Sequence, residues 1–194
     1  TDATDATHAI DGIDATDATD GIDGIDDCGV GMMCYNANSE SGLGNCTEFC
    51  IGTPDSPSCA NTEAICSVWN NGALPLCLPT CDPLAIDCPN DESLCLPAPS
   101  GEGFQCVVNA SNGDGTYGQP CPYSNNCNQG LLCIASEGVP APGCAGSGWC
   151  CSPVCDINDA NTCPGAGQEC VAWYDPAGGS VPPGHEHIGV CMVP

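Results

Sequence analysis

The residues of this chain best suited to covalent chemistry are its cysteines, which number 21 among 194 residues. A cysteine content of this size is typical of small extracellular proteins that are held together by disulfides. A zinc site is the competing use of thiols, but the Cys-x-x-Cys spacing of structural zinc is absent from the sequence. We therefore predict disulfides, an oxidising compartment and an extracellular location, either secreted or at the cell surface.

The cysteine spacing repeats. A four-cysteine unit, with six residues between its second and third cysteines, occurs at 50–77, 81–106 and 155–191. An opener of the form C-x-x-G-[M/L]-[M/L]-C precedes the first and third copies, at Cys28–Cys34 and Cys127–Cys133. Matched spacings of this kind indicate an internal duplication.

The duplication predicts the domain organisation. We expect an acidic tail at 1–27, a cysteine-rich module at 28–110, a Gly-rich linker at 111–120 and a second module at 121–194. Few apolar residues other than cysteine are present, so disulfides replace a large hydrophobic core. The predicted fold is small, disulfide-rich, and mostly β-strand and loop.

An odd number of cysteines leaves one outside intrachain pairs. If each four-cysteine unit closes on itself, the second opener region keeps an even number, but the first keeps three. We expect Cys28, where the tail meets the body, to remain a thiol or to bond to another subunit. Spacing alone does not define connectivity. The other twenty cysteines are predicted to form disulfides within the chain: Cys34, Cys46, Cys50, Cys59, Cys66, Cys77, Cys81, Cys88, Cys95, Cys106, Cys121, Cys127, Cys133, Cys144, Cys150, Cys151, Cys155, Cys163, Cys170 and Cys191.

No set of residues in the sequence matches a catalytic site. The three histidines, His8, His185 and His187, are not near a nucleophile motif, and without Lys or Arg there is no clamp for phosphate. The His185-Glu186-His187 segment places two imidazoles two residues apart, but no third metal ligand follows at a suitable spacing. We predict a non-enzymatic protein, no metal centre of this kind, and a solvated loop around these histidines.

The net charge of the chain restricts the kinds of molecule that it can bind. The chain has 25 acidic residues, no Lys or Arg, and a formal net charge of −25. Such a chain repels nucleic acids and acidic lipids, and no apolar run approaches the length of a membrane span. Its carboxylates must be solvated, accept hydrogen bonds from backbone N–H groups, or bind cations, of which Ca²⁺ is the natural candidate. The Asp156–Asp159 and Asn112–Asp114 segments resemble fragments of calcium loops, although turn formation explains both.

The first 27 residues read as nine triplets whose first position is Thr or Ile and whose second is Asp, except for His8. A threefold extended helix of the polyproline II type would place each triplet position on its own edge. At ~3.1 Å per residue the tail would reach roughly 80 Å. It cannot bury enough apolar surface to order itself, so we expect another molecule to hold it. A plain flexible linker is the alternative.

Two kinds of glycosylation site are predicted. The threonines that begin triplets form a row of hydroxyls suited to O-linked glycans. Asn109 and Asn45 each begin an Asn-x-Ser/Thr sequon, and Asn109 is the better candidate because a cysteine interrupts the other. The threonine row comprises Thr1, Thr4, Thr7, Thr16 and Thr19.

The triplets and the openers resemble those of bacterial extracellular cysteine-rich repeat proteins that carry Thr/Asp/Gly tracts. The second opener, with its vicinal Cys150-Cys151, also resembles knottin and colipase-like frameworks. Because another molecule must hold the tail, the leading hypothesis is a structural subunit of an extracellular filament or surface fibre, whose tail docks along neighbouring copies of the same chain. The alternatives are a monomeric adhesin or carbohydrate-binding module on an acidic stalk, and a knottin-like inhibitor. Addition of the tail as a strand to a neighbour's sheet edge is a variant of the docking mechanism, but the period of three favours the threefold extended helix instead.

Overall fold

The structure is a computed structural model in which residues 28–35, 44–53, 55–69, 74–89, 93–175 and 181–194 are described. The triplet tail lies outside these residues. Its predicted threefold conformation and its candidate glycosylation sites at Thr1, Thr4, Thr7, Thr16 and Thr19 therefore remain predictions.

The described residues form strands, turns and three single-turn 3₁₀ segments, with no α-helix among them. This confirms the predicted class, a small disulfide-rich protein of strands and loops. The strands are β1 (Met32–Tyr35), β2 (Asn45–Glu48), β3 (Ile51–Thr53), β4 (Ser56–Ser58), β5 (Ala64–Trp69), β6 (Leu74–Pro79), β7 (Ser93–Pro97), β8 (Phe104–Val108), β9 (Leu131–Ala135), β10 (Trp149–Asp156), β11 (Glu169–Ala172) and β12 (Ile188–Met192).

Most strands pair with the next strand along the chain. β1–β2, β3–β4, β5–β6 and β7–β8 form two-stranded sheets, and β11–β12–β10–β9 form a four-stranded sheet. Short strands in separate hairpins bury little surface, so covalent bonds must supply much of the stability. Ten disulfides do so.

The chain divides into two compact units. The first contains the described residues of 1–62 and 66–77, and the second contains 63–65 and the described residues of 78–194. The linker expected at 111–120 falls inside the second unit. It is held there because Ala110 donates to the Asn125 carbonyl oxygen at 2.9 Å, and Asn128 donates to that of Gly115 at 2.7 Å.

A buried side-chain amide organises part of the second unit. Gln168 is 3% exposed, and its Nε2 donates to the carbonyl oxygens of Gly138 and Cys191 at 3.1 and 3.0 Å. Its Oε1 accepts from the Tyr117 hydroxyl at 3.1 Å and from the Gly165 N–H at 2.9 Å. One side chain thus connects segments that are distant in sequence, and nearly all of its hydrogen-bonding capacity is used.

Candidate functional site: the outer edge of strand β2

The four-cysteine units share one connectivity. In each copy the first cysteine bonds to the third and the second bonds to the fourth. The pairs are Cys50–Cys66 with Cys59–Cys77, Cys81–Cys95 with Cys88–Cys106, and Cys155–Cys170 with Cys163–Cys191. A common bonding pattern is what a duplicated unit requires, and it closes every unit on itself.

The two disulfides of each unit lie side by side. In the first copy the Sγ atoms of Cys50, Cys59 and Cys77 are all within 4.8 Å of one another, and the other copies repeat this cluster. A similar cluster joins Cys121, Cys127 and Cys133 in the second opener. These sulfurs are bonded to one another in pairs, so they are not the thiolates that a metal ion requires.

The odd cysteine differs from the sequence expectation. Cys28 is bonded to Cys46, and the cysteine that stands outside the ten disulfides is Cys34. Cys34 was expected to be bonded and Cys28 was not, so both assignments are corrected. The reason lies in the duplication, because the second opener bonds Cys127 to Cys151 and Cys121 to Cys133. Cys34 matches Cys133, and the sequence has no counterpart of Cys121.

The hairpins that carry the two openers have the same register. In the first, Cys34 of β1 lies opposite Cys46 of β2. In the second, Cys133 of β9 lies opposite Cys151 of β10. The two hairpins can therefore be compared residue by residue.

Backbone hydrogen bonds define which edge of β2 faces outward. The N–H of Phe49 donates to Gly31 on the β1 side, at 2.9 Å, while the N–H of the next residue, Cys50, donates to Pro75 at 3.0 Å. Because backbone groups of successive residues in a strand point to opposite edges, those of Cys46 point away from β1. No described residue pairs with β2 along this outer edge between Gly44 and Cys46.

The matching edge of β10 is covered. Gly118 donates to the Cys151 carbonyl oxygen at 3.0 Å, and the Cys151 N–H donates to that of Gln119 at 3.0 Å. Cys121 donates to the Trp149 carbonyl oxygen at 3.2 Å, and Pro120 forms a bridge with Cys150. Residues 118–121 thus form an edge segment that lies beside β10 and is fastened by the Cys121–Cys133 disulfide.

In sequence, the counterpart of this edge segment belongs to the triplet tail. Five residues lie between Cys121 and Cys127, and five between Ile22 and Cys28, so residues 19–22 correspond to 118–121. Position 22 is Ile, which cannot form the disulfide made by Cys121. The first opener therefore has a strand edge like that of β10 but lacks the bond that fastens a strand there.

Hydrogen bonds also hold the loop between this edge segment and the second opener. Asn125 Nδ2 donates to the Val108 carbonyl oxygen at 3.1 Å, and Asn126 Nδ2 donates to that of Ala110 at 2.9 Å. The corresponding residues before Cys28 are Asp26 and Asp27. An ionised carboxylate has no N–H to donate, so these positions cannot make the same hydrogen bonds.

His185 lies in an aromatic cluster. Its ring stacks on Phe104 with centroids 5.5 Å apart, and Tyr174 packs edge-on against both rings. Its Nδ1 is buried with no hydrogen-bond partner among the described residues. The structure places His185 against the rings rather than in the solvated loop that the sequence suggested. No described histidine belongs to a group of three potential metal ligands.

The two segments that resemble calcium loops form turns. Asp156 Oδ1 accepts from the Asn158 N–H at 2.8 Å, and Asp114 donates its N–H to the Ser111 carbonyl oxygen at 3.0 Å. Asp82 Oδ1 likewise accepts from the Leu84 N–H at 2.9 Å. For Asp82 and Asp156, backbone N–H groups provide the partners that the missing Lys and Arg residues cannot.

The two N-glycosylation sequons differ in exposure. Asn45 is exposed on β2, whereas Asn109 is half-buried and its Oδ1 accepts from the Ser111 N–H at 2.8 Å. Ser111, the third residue of that sequon, is only 7% exposed. Exposure in the folded protein therefore favours Asn45, the reverse of the order expected from the sequence.

Two tyrosines lie near buried features of the second unit. Burial raises the pKa of the Tyr117 hydroxyl, which donates to Gln168. Burial also raises the pKa of Tyr174, while the backbone of Gly103 acts in the opposite direction. Both rings belong to structural clusters, and neither is placed beside a nucleophile.

Sequence reasoning did not find the open edge of β2. The available signal was that Cys121 has no counterpart in the first module. That observation was used to single out Cys28, which directly matches Cys127. To assign the unbonded cysteine of the first opener, one must know which cysteines are bonded in the second opener, and only the structure supplies that connectivity.

No protein-family model, curated protein or solved structure matches this chain. Its ten disulfides indicate an oxidising, extracellular or secreted setting. Within the part of the chain that is described, no helix has the length and apolar character needed to cross a membrane.

Proposed function

We propose that this protein is a structural subunit of an extracellular filament in which the triplet tail of one copy docks on a neighbouring copy. The observation that carries the proposal is the contrast between the two openers. Residues 118–121 are fastened to the β10 edge by the Cys121–Cys133 disulfide, whereas Ile22 stands at the position of Cys121 before the first opener, so the same disulfide cannot form there. A strand edge of this kind is a ready site for another segment of chain.

The composition supports the same function. The tail has no proline, although the whole chain has 18, so every tail residue after the first keeps a backbone N–H for pairing. A contact from the tail of one copy to the body of the next is head-to-tail, and such contacts propagate unless the rotation closes a ring. Disulfides that close each unit on itself keep the body intact outside the cell. O-linked glycans on the threonine row, and cations along the aspartate row, are further expectations of this assembly.

The test is to compare the full chain with a variant that lacks residues 1–27, using negative-stain electron microscopy and light scattering. We expect filaments from the full chain and discrete particles from the variant. The control is a full-length chain whose tail has the same composition in scrambled order, which separates the sequence pattern from the effect of charge. Filaments that persist without the tail would contradict the proposal.

The second candidate function is a monomeric adhesin or carbohydrate-binding module. The aromatic cluster of Phe104, Trp173, Tyr174 and His185 favours it, because rings are the usual platforms for sugars. Phe104 is only 1% exposed, however, so its ring belongs to the interior rather than to a surface platform. Discrete particles from the full chain, together with binding on a glycan array, would favour this candidate.

A further inference from the structure

We propose that residues 19–22 of one copy occupy the outer edge of β2 at Gly44–Cys46 in a second copy, in the way that residues 118–121 lie along β10. This inference rests on the proposed filament function and identifies the surface that the tail occupies. It also identifies the exchanged segment, which is the Thr-Asp-Gly-Ile sequence directly before the first opener.

The backbone groups of the two edges correspond. Along β10, the N–H and C=O of Cys151 and the C=O of Trp149 bind residues 118–121. The corresponding groups on β2 are the N–H and C=O of Cys46 and the C=O of Gly44. Residues 19 and 22, which match the donors Gly118 and Cys121, both carry an N–H. The threefold period favours a polyproline II helix along the whole tail. Over a contact of only four residues, this preference does not prevent an extended conformation.

The position that Ile22 would occupy suits an apolar side chain. Its counterpart Cys121 is 2% exposed and packs in a buried cluster with Cys127 and Cys151, against which Leu131 and Cys133 also pack. The buried isoleucine and the backbone hydrogen bonds would then hold the segment without a covalent bond, so the contact is reversible, as assembly from soluble subunits requires.

The same differences favour a second copy over the segment's own chain. Residues 118–121 are held to their own hairpin by the Cys121–Cys133 disulfide and by the amides of Asn125 and Asn126. The tail has neither the disulfide nor the amides. Its loop contains three carboxylates instead, at Asp23, Asp26 and Asp27, and their mutual repulsion opposes a tight turn. A segment that lacks these attachments to its own hairpin can pair with a neighbour, and exchange of an identical element between subunits is a known route to assembly.

The test replaces the missing cysteine. In the full chain, Ile22→Cys puts a thiol at the position that matches Cys121. Its expected partner is Cys34, which matches Cys133, the residue to which Cys121 is bonded. On a non-reducing gel of assembled protein we expect a ladder of covalent oligomers that collapses on reduction. Peptide mass spectrometry should map the new bond between position 22 of one copy and Cys34 of another. Mixing isotopically labelled and unlabelled protein before assembly distinguishes interchain from intrachain bonds.

Two matched variants complete the experiment. Ile25→Cys introduces a thiol at the first position of the next triplet. This position matches Ser124 rather than Cys121, so the variant should give no ladder. Adding Cys34→Ser to Ile22→Cys should abolish the ladder, because the thiol at position 22 then has no partner thiol on the second copy.

The outcomes separate this inference from the function on which it rests. A bond between position 22 and Cys34 within one chain would overturn the exchange between copies. Alkylation of both thiols in assembled Ile22→Cys protein would overturn the β2 edge as the docking site. If filaments still required residues 1–27 in either case, the filament function would stand and only its contact surface would be wrong. If the full chain formed no filaments, the function itself would fail.

Discussion

Cys34 lies directly opposite Cys46 in the β1–β2 hairpin, yet the disulfide at Cys46 runs to Cys28. The second hairpin repeats this arrangement, since Cys133 faces Cys151 and the disulfide at Cys151 runs to Cys127. In neither hairpin are the facing cysteines joined to each other. The bonds run to residues before β1 and β9, so each one fastens the chain that enters the hairpin.

The disulfide assignment predicts different behaviour for the two cysteines of the first opener. We expect iodoacetamide to label Cys34, and not Cys28, in the native protein. Cys28→Ser removes a bond between residues 18 apart and should lower the free energy of unfolding by about 3 kcal/mol. Cys34→Ser removes no disulfide and serves as the control. The measurements are peptide mapping after alkylation and thermal unfolding by circular dichroism. Labelling of Cys28 in the native protein would contradict the assignment.

The buried amide of Gln168 should be important for the second unit. Gln168→Ala removes one of the two donors to each of the Gly138 and Cys191 carbonyl oxygens and leaves the Gly165 N–H without its acceptor, so we expect a loss of about 2 kcal/mol. Gln119→Ala, at an exposed glutamine, should change stability by no more than about 0.5 kcal/mol. Denaturant unfolding followed by tryptophan fluorescence measures both. Equal effects of the two substitutions would argue against the network.

A close backbone approach requires glycine at position 189 of β12. A Cβ there would lie 2.7 Å from Cys170 Sγ, 2.8 Å from Ile157 Cγ2 and 2.8 Å from the Val171 carbonyl oxygen. Gly189→Ala should therefore destabilise the protein by about 1–3 kcal/mol through overpacking. Gly148→Ala is the matched control, since a Cβ at Gly148 meets nothing within 4 Å. A comparison of thermal midpoints tests this, and an unchanged midpoint for Gly189→Ala would show that the strands can separate at no cost.

Alkaline pH should weaken the second unit. The pKa of Tyr117 is raised above its usual value of 10.0 by burial, so the folded state prefers the protonated hydroxyl. Its contribution is complete below pH 10 and is lost as the pH rises through the folded-state pKa. Deprotonation also removes the proton that Tyr117 donates to Gln168. Tyr117→Phe should reduce the fall in stability above pH 10, as measured by denaturant titrations across that range. An identical fall in the variant would exclude Tyr117 as its source.

The fold class and the closure of the four-cysteine units could be predicted from cysteine spacing, because a repeated pattern constrains where chains close. The disulfide connectivity could not be predicted, since many pairings are compatible with one spacing. For that reason Cys28, rather than Cys34, was expected to stand outside the disulfides. Gly-rich sequence at 111–120 is typical of a linker, but hydrogen bonds to residues more distant in sequence, such as that from Asn128 Nδ2 to the Gly113 carbonyl oxygen, hold part of this segment in place. The stacking of His185 on Phe104 depends on tertiary packing that no local pattern records.

Every disulfide joins residues close in sequence, and the longest span, from Cys163 to Cys191, is 28 residues. Loop closure over such distances is fast, and chains rich in local contacts fold quickly. Each four-cysteine unit can therefore close its two disulfides from its own residues, without waiting for distant parts of the chain. Oxidation of one unit does not depend on oxidation of another.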